Sequence, residues 1–229
     1  MLSVTDLTAG YGHGEVLHGV SFAVRPAEIV VVVGRNGMGK STLMRTLIGM
    51  LPAGGGRIEL DGTDITHLKS HRRVAAGLAF VPQGRMIFPA MTVEENIETG
   101  LFVRDAAKVP PDIYALFPIL REMRSRPAGN LSGGQQQQLA IARALATEPK
   151  VLLLDEPTEG IQPSIILELG RTLRRIRDQR GLSIVASEQV LSFALDIADR
   201  VLVLEGGALV HEDTRAAIDP QKVAAYLAV

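Results

Sequence analysis

The chain has 229 residues, 46% of them hydrophobic, a formal net charge of −1 and no cysteine. That length suits one domain, or a core with an inserted part, and the missing thiols exclude disulfides and thiolate metal sites and fit a reducing compartment. A near-neutral chain offers no global basic field, so nucleic acid is not an expected partner.

Taken in chain order, short strands are expected near 3–7, 20–24 and 57–60, an N-terminal antiparallel part with Gly54-Gly55-Gly56 as the turn before the last of them. Nothing near Met1 reads as a signal peptide. Ile29-Val30-Val31-Val32-Val33 is a β-branched run of the kind buried on both faces of a parallel sheet. Leu43, Leu47 and Met50 then recur at helical spacing over 41–50. Arg72-Arg73 reads most simply as a solvated helix end. Further core strands are expected at 78–81, 151–154, 183–187 and 201–205. The apolar runs at 29–33, 151–154 and 201–204 are far too short to cross a bilayer.

Between 84 and 147 the pattern is mainly helical, over 93–101, around 111–123 with a break at Pro118, and over 133–147. Arg126-Pro127-Ala128-Gly129-Asn130 is a loop into the last of these. Residues 84–147 therefore read as a helical subdomain inserted in a core made of 1–83 and 148–229, all within a single domain spanning 1–229. Helix 164–180 places Ile165, Leu169, Leu173 and Ile176 on one face, as core packing requires. The histidines at 13, 18, 67, 71 and 211 have no metal-site grouping and read as surface or loop residues.

Two segments carry chemistry. Gly34-Arg35-Asn36-Gly37-Met38-Gly39-Lys40-Ser41-Thr42 lies between the 29–33 strand and a helix, the context in which such a string binds phosphate. Gly34, Gly37 and Gly39 let successive N–H groups curl around a β-phosphate, and the helix N-terminus adds positive potential. Lys40 is placed to bridge β- and γ-phosphates, the Ser41 hydroxyl to ligate Mg²⁺, and Thr42 to contact the α-phosphate. Strand 151–154 ends in Asp155-Glu156, at the carboxyl edge where parallel sheets bind ligands. Asp155 is expected to hold Mg²⁺ through water, and Glu156 to orient or deprotonate the attacking water. The fold class expected is α/β, a P-loop nucleotide hydrolase core of mainly parallel sheet with the antiparallel β part and the helical insert.

Residues 131–137, Leu-Ser-Gly-Gly-Gln-Gln-Gln, open a helix shortly before Val151-Leu152-Leu153-Leu154-Asp155-Glu156-Pro157. Together with the phosphate loop, these strings resemble the ATP-binding cassette (ABC) family over almost the whole chain. The resemblance implies that Ser132, Gly133 and Gly134 contact the γ-phosphate bound to a partner cassette, with Gln135 completing the motif. The Gln135–Gln138 run reads by itself as a polar helix face. Tyr11 matches the aromatic that stacks on adenine, with Val16 packing nearby, and Gln83 matches a residue that reaches metal or water. The implied cofactors are ATP and Mg²⁺. The implied partners are a second ATP-binding cassette subunit, transmembrane permease subunits and, indirectly, a solute-binding receptor. The implied location is the cytoplasmic face of the membrane, and the groove near Gln83 and residues 84–92 is the expected docking site.

The strings 81–96, 131–145 and 155–166 look like the branched-chain amino acid uptake branch. Thr158-Glu159-Gly160-Ile161-Gln162-Pro163-Ser164-Ile165-Ile166 looks most like the second ATP-binding subunit of its urea-type transporters. Two positions depart from the general family pattern. Gln162 stands where an Asp communicates with the opposite site, and Gln189 stands where a switch His contacts γ-phosphate. A Gln amide donates a hydrogen bond but cannot carry imidazole's charge or proton. The expectation is an ATPase subunit of an importer for urea or a short amide, paired with a different cassette. The alternatives are a branched-chain amino acid importer subunit, a soluble non-transport ATPase, or a weakly hydrolysing ATP-binding scaffold.

Overall fold

A computed structural model describes residues 2–12, 14–104 and 108–227; His13 lies outside them. Strands β1 (Leu2–Tyr11), β2 (Gly14–Val24), β4 (Gly55–Leu60) and β5 (Thr63–Asp64) form an antiparallel sheet in the order β2-β1-β4-β5. Strands β3 (Ile29–Val33), β6 (Leu78–Val81), β7 (Val151–Asp155), β8 (Ser183–Glu188), β9 (Arg200–Glu205) and β10 (Ala208–Thr214) form the second sheet, ordered β10-β9-β3-β8-β7-β6. Four of its five pairings are parallel; the fifth, β9 with β10, is an antiparallel edge.

The β3 run explains why this sheet sits centrally. All five of its side chains are buried, and they alternate between two apolar clusters. Ile29, Val31 and Val33 join one that also takes in the helices of 93–145 and α7 (Pro163–Arg180). Val30 and Val32 join the other, shared with the antiparallel sheet and α1 (Lys40–Ile48). Each such side chain removed from water stabilises the fold by about 2 kcal/mol.

Several boundaries differ from the sequence reading. Helix α1 stops at Ile48 because Gly49 adopts a left-handed conformation, φ 81°, and caps it. Gly55 and Gly56 belong to β4 rather than to a turn, and Gly56 (φ 80°) lies so close to the Asp6 carbonyl that a Cβ would meet its oxygen at 2.3 Å. The helix whose end Arg72-Arg73 was read to mark is α2 (Ser70–Ala76). Arg73 is not solvated, however: it is fully buried, and its guanidinium donates to the carbonyls of Leu68, Thr46, Leu47 and Thr66 at 2.7–2.9 Å. The buried cation thus caps the C-terminal turn of α1, where carbonyl dipoles converge.

Segment 84–147 contains α3 (Val93–Glu98), capped by a reciprocal Thr92–Glu95 capping box, a 3₁₀ turn at Leu101–Val103, α4 (Pro111–Leu116), α5 (Pro118–Glu122) and α6 (Gly133–Leu145). Pro118 starts α5 at a position where its missing N–H costs nothing, which is the break expected within 111–123. Two further helices, α8 (Leu191–Ile197) and α9 (Pro220–Leu227), follow β8 and β10. His211 is not a surface residue: it is largely buried in β10, bonded to Asp213 at 2.7 Å and stacked on Tyr226 of α9. No helix among the described residues is long and apolar enough to cross a membrane.

Candidate active site

The loop between β3 and α1 curls where its glycines permit. Gly37 and Gly39 have φ of 80° and 102°, and a Cβ on Gly34 would meet the Leu204 carbonyl oxygen at 2.5 Å. No side chain caps the start of α1, so its first N–H groups stay available to an anion. They border a cavity of about 270 Å³ lined by Val16, Asn36, Gly37, Gly39, Lys40, Ser41, Thr42, Gln83 and Glu156. Arg35 and Met38 lie outside that lining. Arg35 borders a neighbouring cavity with Gln189. The Met38 sulfur accepts from the Gly206 N–H at 3.3 Å and its carbonyl accepts from Gly207, tying the loop to the β9–β10 turn.

Lys40 is buried, and its ammonium donates to the carbonyls of Gly34 (2.9 Å) and Arg35 (3.1 Å). It also pairs with Glu156 Oε1 at 3.3 Å. Ser41 Oγ donates to Asp155 Oδ1 at 3.1 Å, and Ser187 Oγ donates to the same oxygen at 2.7 Å. Burial pushes the Asp155 carboxyl up from its ordinary value, an effect the two hydroxyls oppose. A hydroxyl and a buried carboxylate facing one another are the hard-oxygen donors Mg²⁺ prefers, so this pair fits the ion. Gln83 Nε2 comes within 3.4 Å of Glu156 Oε2, on the Glu156 side rather than beside Asp155.

Glu156 has φ 47°, a strained conformation for a non-glycine residue. It is fixed there because its N–H donates to both the carbonyl and the hydroxyl of Ser187 at 3.1 Å. Gln189 Nε2 donates to Glu156 Oε1 at 2.8 Å. The expected catalytic trio of Glu156, Gln83 and Gln189 is therefore brought together around one carboxylate.

The signature residues do not line this cavity. Ser132 caps α6 by accepting from the Gln135 N–H at 3.4 Å, and Gln135 Oε1 accepts from the Ser132 N–H at 2.9 Å. Gly134 is buried against α7, where a Cβ would stand 2.6 Å from Ile165 Cγ2. The glutamine run is not a uniform polar face, since Gln137 and Gln138 are buried and Gln138 donates to Glu168 at 3.3 Å. Tyr11 ends β1, half exposed, while Val16 lies against the loop at Gly39. Sequence reasoning missed Ser187, whose hydroxyl holds both Asp155 and the Glu156 backbone. Nothing distinguishes a serine inside a strand run until its neighbour strand is known.

Strand, phosphate loop, helix and an acidic pair at the carboxyl end of a parallel strand of the same sheet, one strand removed across β8, define a P-loop nucleoside triphosphatase. The family described as ABC transporter matches residues 17–159. Among curated proteins the chain is 42% identical to the high-affinity branched-chain amino acid transport ATP-binding protein BraG of Pseudomonas aeruginosa, over 99% of both chains. It is 37% identical to the probable branched-chain amino acid transport ATP-binding protein LivF of Archaeoglobus fulgidus, over 93% of this chain and 92% of that one. Among solved structures, a nucleotide-free ATP-binding cassette from an ABC transporter superposes with TM-score 0.83 at 26% identity, covering 97% of this chain and 93% of that chain. The ADP conformation of an ATP-binding cassette of an ABC transporter gives 0.80 at 27% identity, covering 99% and 94%. The chain belongs to the ABC transporter family, and its site is that of an ATPase using ATP with Mg²⁺.

Proposed function

We propose that this chain is the ATP-hydrolysing subunit of a membrane importer of branched-chain amino acids, working beside a second, different cassette. What supports the solute is the full-length likeness to a branched-chain amino acid transport subunit. The 158–166 string favours a second reading, urea or a short amide, because it looks like the urea-type subunits.

In hydrolysis the α1 amides and Lys40 hold the phosphates, Lys40 exchanging Glu156 for a γ-phosphate oxygen. Glu156, steadied by Gln83 and Gln189, orients and deprotonates the attacking water. Ser41 and Asp155 would hold Mg²⁺, which neutralises charge on the phosphate oxygens. Tyr11 and Val16 take the adenine side. Ser132, Gly133 and Gly134 face a partner's nucleotide, with the Gly133 and Gly134 amides, the Ser132 hydroxyl and the α6 dipole as the attraction.

A largely apolar groove of about 470 Å³, with Met50, Met86, Phe88, Val103 and Arg143 in its wall, adjoins the segment after Gln83. It suits a cytoplasmic helix of a permease, whose apolar side chains would cover the exposed Met86 and Phe88. With Gln at 162 and 189, a homodimer lacks the Asp and the His that link γ-phosphate to the closed interface, so the lone chain is expected to bind MgATP and hydrolyse it slowly.

The test is reconstitution with the neighbouring permeases and cassette, followed by ATP-dependent uptake of labelled leucine and labelled urea. Leucine uptake alone carries the first reading and urea uptake alone the second. Full transporter-like turnover from the lone chain would sink the asymmetric pairing.

A further inference from the structure

Glu188 is a carboxylate inside the protein, and the hydrolytic steps above make no use of it. It closes β8, next to the strand that ends in Asp155, and is 1% exposed. All its acceptor capacity goes to two loops. Oε1 accepts from the N–H of Thr158 at 3.1 Å and from its hydroxyl at 2.7 Å. Oε2 accepts from the N–H groups of Gln189 at 2.9 Å and Val190 at 3.1 Å. Burial raises its pKa, opposed by these hydrogen bonds. A carboxylate desolvated this far persists only where its partners are arranged for it.

The partners are informative. Thr158 lies two residues after Glu156, and Gln189 is the residue whose amide reaches Glu156 Oε1 at 2.8 Å. One carboxylate therefore grips the backbone beside each member of the Glu156–Gln189 pair. The neighbouring Ser187 fixes Asp155 and the Glu156 N–H in the same way.

We propose that Glu188 is a positioning residue of the hydrolytic site, a latch between the loop after β7 and the loop after β8 that sets the register of Gln189 on Glu156. The latch rests on Glu156 acting on the attacking water. It does not touch nucleotide, so its loss should slow hydrolysis of bound ATP without weakening binding.

Three substitutions in the full chain test it by single-turnover hydrolysis and equilibrium MgATP binding. Thr158→Val keeps shape and the N–H donor and removes only the hydroxyl. Glu188→Gln keeps size but turns an amide NH₂ toward N–H donors. Gln189→Ala removes the group the latch steers. Thr158→Val should slow hydrolysis about tenfold, the worth of one hydrogen bond to a charged group, with nucleotide affinity unchanged. Glu188→Gln should slow it further. In a Gln189→Ala background Thr158→Val should have no additional effect, because the pair whose register it disturbs is gone. Wild-type rates in Thr158→Val and Glu188→Gln, a parallel loss of affinity, or full additivity with Gln189→Ala would each overturn the latch. Glu156→Gln is the control. If it still hydrolyses ATP, the site assignment falls and the latch with it. If it is inactive while the latch variants are normal, only the latch falls.

Discussion

The Glu156 carboxylate lies 3.3 Å from the Lys40 ammonium, an ion pair between the group placed to act on water and the group placed to hold phosphate. Both side chains are more than nine-tenths buried, so the attraction is little screened. On the proposed mechanism, bound nucleotide would compete with Glu156 for the lysine, and displacement would leave the carboxylate free to face the water.

Glu156→Gln follows directly. The amide retains size and hydrogen bonding but is no base, and it releases Lys40 from its counter-ion. Hydrolysis should fall about 100-fold or more, while MgATP binding is preserved or tightened. Single-turnover hydrolysis paired with equilibrium binding checks both halves; undiminished turnover removes Glu156 from the mechanism.

Tyr11 ends β1 half exposed, a surface ring with an open face. Stacking on a base is worth about 1–3 kcal/mol in single-stranded nucleic-acid complexes, a loose analogue for adenine here. Tyr11→Ala should weaken ATP binding several-fold, and Tyr11→Phe should change it little. Unchanged affinity in Tyr11→Ala means that adenine is held elsewhere.

Arg73→Met should cost about 3 kcal/mol of stability, because buried carbonyls lose their donor and regain no water. Arg73→Lys should not restore it, since a single ammonium cannot reach four carbonyls spread over α1 and the segment before α2. Urea denaturation measures the loss, and a shift under about 1 kcal/mol would contradict this role.

Asp64 supplies a pH prediction. Hydrogen bonds from the Thr66 hydroxyl and N–H, followed by Arg57, lower its carboxyl pKa to about 2. The folded value lies below the unfolded one, so the contribution is present above the ordinary carboxylate pKa and is lost as pH falls toward about 2. Asp64→Asn should therefore lower Tm at neutral pH, and the difference from wild type should shrink across that acidic window. A difference independent of pH would mean that the charge is not what matters.

The central strands were legible because parallel strands buried on both faces are written as unbroken β-branched runs. β10 was not, since its exposed edge alternates Val210, Glu212 and Thr214 with inward residues and reads as loop. The phosphate loop and the acidic pair were legible because each is local in sequence. Ser187 and Glu188 were not, because Asp155, Glu156 and Thr158, which they hold, are about thirty positions away in β7 and the loop after it, and only strand pairing brings them together. Arg73 shows the reverse error: charge argues for the surface, and only the geometry of the α1 terminus provides the carbonyls that make an interior cation tolerable. Gln83 and the signature residues were readable by resemblance alone.

The apolar cluster on one face of the central sheet runs without a break from Val31 and Leu154 through Ile97, Leu120 and Leu139 to Leu173 and Val223. Segment 84–147 thus has no private interior of its own. Cut out, it would lose the side chains of β3, β6, β7 and α7 that complete the cluster around Ile97, Leu120 and Leu139. Calorimetry of the intact chain should accordingly register a single heat-absorption peak whose van't Hoff and calorimetric enthalpies agree, and an isolated 84–147 peptide should give no cooperative melt at all.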